Sequence, residues 1–102
     1  MEWIKYFENY VEVAREIKEM VNKHVKARVF VFGSAVRGDY VVGLSDIDVA
    51  VVSEEFEDRE KRLKVYDELF SRYFYSPFEF HLLTPRQWQY YLRFIGADFV
   101  EV

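Results

Sequence analysis

The chain has 102 residues, 51% of them hydrophobic and 31% charged, with four Gly, two Pro and a net charge of −4. That length supports one domain, 1–102, with a single core, and the composition excludes a disordered chain. The absence of cysteine excludes disulfide staples and thiolate chemistry, two distant histidines offer little for a zinc site, and the acidic balance argues against nucleic acid as the partner.

From Met1 to about Lys26, the apolar residues Trp3, Ile4, Phe7, Tyr10, Val11, Ala14, Ile17 and Val21 recur at spacings of three and four. That periodicity predicts one long amphipathic helix. Ala27 to Phe32 is rich in β-branched and aromatic residues and stops at Gly33, as a short buried strand does. A loop spans 33–45. Asp46 to Val52 then forms a second strand, with Ile47, Val49 and Val51 on one face and Asp46, Asp48 and Ala50 on the other.

Ser53 caps a helix predicted from Glu54 to Tyr73, with Leu63, Tyr66, Leu69, Phe70 and Tyr73 turned inward. Its pairs Glu57 and Lys61, Asp58 and Arg62, Glu60 and Lys64 stand four apart on a solvated face. Phe78 to Leu83 is a third strand in which Phe78, Phe80 and Leu82 alternate with Glu79, His81 and Leu83. Thr84-Pro85-Arg86-Gln87 opens the last helix with a Thr cap, Pro at the first position and Gln at the third, and Gly96 ends it. The tail ADFVEV is available for an edge strand or for docking on a partner. The expected fold is α/β (α+β): a small mixed three-stranded sheet flanked by helices.

No apolar run reaches the roughly 18 residues of a membrane span, and the start, MEWIKYFENY, has no basic leader followed by an apolar stretch. The cytoplasm is the expected location. Aromatic residues make up 20% of the chain, more than a small core hides, so part of them is expected to face a partner protein or a second copy.

Two stretches carry chemistry, FGSAVRGD and SDIDVAV. Gly33 and Gly38 repeat the first half of a Walker phosphate loop, but Asp39 and Tyr40 stand where Lys and Ser or Thr are required, and Ala35 breaks a dinucleotide fingerprint. The Gly33-Ser34 turn retains the capacity to bind phosphate through backbone N–H groups. Asp46 and Asp48, two apart on a strand, project side by side with Cα atoms about 6.5–7 Å apart. Such carboxylates repel unless a cation lies between them, and magnesium, a hard ion served by oxygen, suits them. The alternative is a frayed, solvated strand end, or an Asp46 that caps a turn.

Taken together, these stretches resemble the signature of the DNA polymerase beta nucleotidyltransferase superfamily, and the short chain is similar to its minimal nucleotidyltransferases (MNT), known as antitoxins of HEPN-domain partners. The loop Ala35–Ser45 is one residue longer than the usual spacer, an excess the Val41-Val42-Gly43 tip can take up. The resemblance implies that Gly33 and Ser34 bind the triphosphate and that Asp46 and Asp48 hold magnesium. It also implies AMP transfer from ATP to a hydroxyl of a HEPN-type partner protein, or else a non-catalytic module that neutralises that partner. Glu79 matches the third carboxylate of many members, against an ordinary exposed strand glutamate. His81 shares its face and reaches substrate or is simply half-buried. Arg37 reaches a phosphate oxygen or solvent, and His24 receives no role.

Overall fold

The strands form where branched and aromatic residues run together. The computed structural model describes residues 2–102. Helices α1 (Trp3–Glu8) and α2 (Tyr10–Val21) precede β1 (Arg28–Phe32); a short helix, α3 (Ser34–Arg37), and a loop lead to β2 (Ile47–Val52). A 3₁₀ turn at Glu54–Glu57, α4 (Arg59–Arg72), β3 (Phe78–Leu83), α5 (Pro85–Ile95) and β4 (Phe99–Glu101) complete the chain. Among the described residues no helix is long and apolar enough to cross a membrane.

The sheet runs β3-β2-β1-β4. β2 pairs antiparallel with β1 and parallel with β3, as the crossover through α4 requires, while β4 pairs antiparallel with β1. The expected three-stranded sheet is thus four-stranded, because Phe99–Glu101 from the tail joins β1 and the bidentate ion pair of Arg28 with Glu101 closes that edge at 2.7 Å.

Period-two alternation divides the sheet into two faces. Val29, Val31, Ile47, Val49 and Val51 pack with Phe7, Ile17, Val21, Val65 and Leu69 under α1, α2 and α4. Phe30, Phe32, Ala50, Val52 and Leu83 face the opposite way and are covered by Trp88 and α5, with Phe30 stacked on Trp88 at 4.5 Å between centroids. Because Asp48 and Glu79 share strand parity with Ala50 and Leu83, they belong to the α5 face.

The single N-terminal helix is interrupted. Asn9 adopts φ −120°, ψ 26°, and both its backbone N–H and its side-chain amide donate to the Lys5 carbonyl, the local competition with the helix that makes Asn a poor interior residue. The second half ends at Val21, since Asn22 turns its amide to Lys18 and exchanges hydrogen bonds with the backbone of Ala27.

The helix expected over 54–73 also divides. Ser53 caps only the 3₁₀ turn, and Asp58 caps α4 by accepting from the N–H groups of Glu60 and Lys61. This rotates the packed face to Val65, Leu69 and Tyr73, leaving Leu63, Tyr66 and Phe70 exposed rather than inward. Lys61 pairs with Glu55 at 3.2 Å, and among the described residues none of the three expected four-apart pairs forms. By contrast, β3 keeps its expected bounds, and α5 has the full Thr84–Gln87 capping box and ends at Gly96.

Candidate functional site

At one end of the sheet the two pairings converge on Asp48. The antiparallel ladder places it opposite Phe32, the residue before the Gly33-Ser34 turn, and the parallel ladder places it opposite Glu79. Asp46 lies one residue before β2, held near β3 by a 2.7 Å hydrogen bond from the Ile47 N–H to the Pro77 carbonyl. One ligand atom from each of Asp48, Glu79 and His81 lies within 4.8 Å of the others.

His81 is built into this cluster. Its Nε2 lies 3.1 Å from Asp48 Oδ1 and its Nδ1 3.2 Å from the Tyr91 hydroxyl of α5. If Nε2–H donates to the carboxylate, Nδ1 is left to accept the phenol proton, so one tautomer satisfies both contacts. The chain from Tyr91 to Asp48 fixes the carboxylate that the two ladders aim into the site.

Glu79 sits exposed on the edge strand, yet its carboxyl is pushed above the ordinary glutamate value, first by partial desolvation. The charges of Asp48 and Asp46 add to the rise, and His81 opposes it. Like-charged carboxylates gathered at one strand end are what a divalent cation would relieve, and the ligand atoms that come together there are those of Asp48, Glu79 and His81, with Asp46 outside that group.

Gly33 explains how closely the turn meets the strand. Its φ of +85° suits glycine, and a Cβ there would lie 2.5 Å from Asp48 Oδ2. The turn feeds α3, where Ala35 is buried and Gly38 closes the helix in the left-handed region at φ 85°. Beyond it the loop is pinned by Tyr40, stacked on Phe7 at 4.4 Å, and by the Val41 N–H donating to Ser45 Oγ. The loop tip forms a turn at 42–44, with Gly43 at φ 92°.

A cavity of about 380 Å³ opens between this turn and the end of α5, lined by Gly33, Ser34, Arg37, Asp46 and Asp48 together with Phe32, Ser45, Phe94, Ile95 and Asp98. Five of the six expected site residues therefore share one cavity. Glu79 lies beside it and lines a second groove of about 210 Å³ with Tyr66, Phe70, Tyr73, Phe74, Phe78 and Phe80. Arg37 is exposed, with Nε 3.3 Å from Asp39 Oδ2. His24 pairs with Glu68, away from the cavity.

Sequence reasoning missed Tyr91, Phe94 and Asp98. All three belong to α5 or the segment after it, and they reach the site only because α5 covers the aspartate face, a tertiary fact that no local spacing encodes. The Thr84 capping box was the one available signal that α5 is rigid.

The profile of the family described as nucleotidyltransferase domain matches residues 11–95. A candidate nucleotidyltransferase of known crystal structure is 39% identical, with 92% of this chain and 98% of that chain covered at a TM-score of 0.74. A second candidate nucleotidyltransferase, from Sulfolobus solfataricus, is 22% identical over 96% of this chain and 83% of its own, at a TM-score of 0.67, and shares the fold. No curated protein matches the chain.

Proposed function

The chain belongs to the nucleotidyltransferase domain family, with an MNT-type fold, and from that premise we propose that it transfers a nucleoside monophosphate, AMP from ATP, to a hydroxyl of a partner protein. The observation that carries this reading is the register: Asp48 stands opposite Glu79 and next to a glycine turn that only a bare backbone can form against it.

In this reading Asp46, Asp48 and Glu79 hold magnesium, which when bound neutralises the carboxylates and supplies charge stabilisation to the phosphates. Gly33 lets the triphosphate approach the backbone, the Ser34 hydroxyl donates to a phosphate oxygen, and Arg37 exchanges its contact with Asp39 for phosphate. His81, held by Tyr91, keeps Asp48 in place. The acceptor oxygen bonds to the α-phosphorus as the bond to the β-phosphate bridging oxygen breaks, and pyrophosphate leaves. The acceptor proton goes to the Glu79 carboxylate oxygen that faces the acceptor rather than the metal.

A protein acceptor is supported by the aromatic groove that Glu79 itself lines. Its exposed rings Tyr66, Phe70 and Phe74 touch one another in turn and reach the exposed Tyr75, a strip of the kind that a protein partner covers. The HEPN-type identity of that partner and the antitoxin role come from the resemblance to MNT proteins. The test is incubation of the protein with its co-purifying chains, magnesium and ATP labelled at either the α or the γ phosphate, followed by mass spectrometry. Monophosphate transfer places the α label, and never the γ label, on a polypeptide hydroxyl; a γ label on protein would reveal a phosphotransferase instead.

A further inference from the structure

The cavity beside the aspartates has a lining of two chemical kinds. One part of its lining comes from the Gly33-Ser34 turn and Arg37 of α3, and another, Phe94, Ile95 and Asp98, from the end of α5 and the segment after it. Phe94 is 89% exposed, which is an expensive position for a phenyl ring unless something apolar lies on it. Its support is rigid: α5 carries a capping box at its start, Trp88 is buried in the core, and Ile95, next along the chain, packs against the Phe30, Phe32 and Trp88 cluster.

We propose that the Phe94 ring is the platform on which the nucleobase of the donor nucleotide stacks. This deepens the nucleotidyltransferase reading and rests on it. A flat heteroaromatic ring is the one part of an NTP that gains from an exposed phenyl face, and stacking of this kind is tolerant of base identity. Charge sets the direction of the nucleotide. The Asp98 carboxylate repels a triphosphate from the aromatic part, and as an acceptor it receives an N–H from the exocyclic amine of adenine, guanine or cytosine. Phosphates therefore lie against the Gly33-Ser34 turn and the base against Phe94.

The test compares two ligands that differ only in carrying a nucleoside. Calorimetry in magnesium measures ATP and inorganic tripolyphosphate binding to wild type, Phe94→Ala and Phe94→Tyr. Base-aromatic stacking of roughly 1–3 kcal/mol per base corresponds to about 5- to 150-fold in affinity. Phe94→Ala is expected to weaken ATP by a factor in that range and leave tripolyphosphate unchanged, and Phe94→Tyr is expected to bind ATP as the wild type does. Unchanged ATP affinity in Phe94→Ala, or equal loss of both ligands, overturns the stacking platform while leaving the phosphate site standing. A wild type that binds neither ligand overturns the nucleotide reading, and the platform with it.

Discussion

Replacing Gly33 by alanine tests the contact that joins the turn to the strand. Two costs add. At φ 85°, ψ −155° a side chain enters a region that only glycine populates freely, at about 1–3 kcal/mol. The new Cβ would also lie 2.5 Å from Asp48 Oδ2, where ordinary contact begins at 3.4 Å, so the carboxylate must retreat by 3.4 − 2.5 = 0.9 Å. Retreat breaks the hydrogen bond with His81 Nε2, a loss of about 1–3 kcal/mol when one partner is charged. Together these give about 2–6 kcal/mol, a fall in melting temperature of about 10 °C or more for a domain of this size. A displacement near 1 Å at a reacting group costs about a hundredfold in rate. Gly43→Ala is the control, because Gly43 has φ +92° with open space around its missing Cβ. Both variants should melt earlier than the wild type in circular dichroism. At a temperature where both remain folded, only Gly33→Ala should lose transfer of the α-phosphate label. Equal activity in the two variants would refute the claim that Gly33 is required by the position of Asp48.

Glu79→Gln should stabilise the metal-free protein at neutral pH while cutting transfer by about a hundredfold, near 2.7 kcal/mol of barrier. The folded-state proton affinity of Glu79 is raised above its ordinary 4.5, so protons favour the native state, and the wild type approaches the stability of the variant below pH 4.5. As pH rises through the elevated folded value the gap should open in favour of Glu79→Gln; thermal melts in chelator across that window check the sign, and a constant gap would contradict it. Tyr73→Phe removes a buried phenol that has no hydrogen-bond partner and whose own ionisation is pushed up by burial. Its melting temperature should equal or exceed that of the wild type, whereas a loss above about 1 kcal/mol, the net worth of a made hydrogen bond, would show that the hydroxyl is bonded.

Much of the site was legible because its signals are local. Period two alone put Glu79 and His81 on the face opposite Phe78 and Phe80, and the observed strand agrees. Capping chemistry fixed both ends of α5. Helix faces were less legible where apolar residues exceed what the core holds. In α4, Leu63, Tyr66 and Phe70 compete with Val65, Leu69 and Tyr73 for the inward side, and the Asp58 cap and the sheet surface decide in favour of the second set. Asn9 interrupts a periodicity that itself continues unbroken across it, so the apolar pattern alone conceals the break. The link from Tyr91 through His81 to Asp48 spans three elements and follows only from their packing.

The central claim is that the carboxylates at the end of β2 carry monophosphate transfer, and Asp48→Asn addresses it most directly because it removes charge while keeping shape. The measurement is incorporation of α-labelled ATP into the co-purifying polypeptide, in magnesium, by wild type and Asp48→Asn, with melts to show that both are folded. The account predicts labelled partner with the wild type, none with Asp48→Asn or with chelator, and an unchanged or higher melting temperature for the metal-free variant as like-charge repulsion with Asp46 and Glu79 is relieved. Labelling by a folded Asp48→Asn protein at the wild-type rate would contradict it.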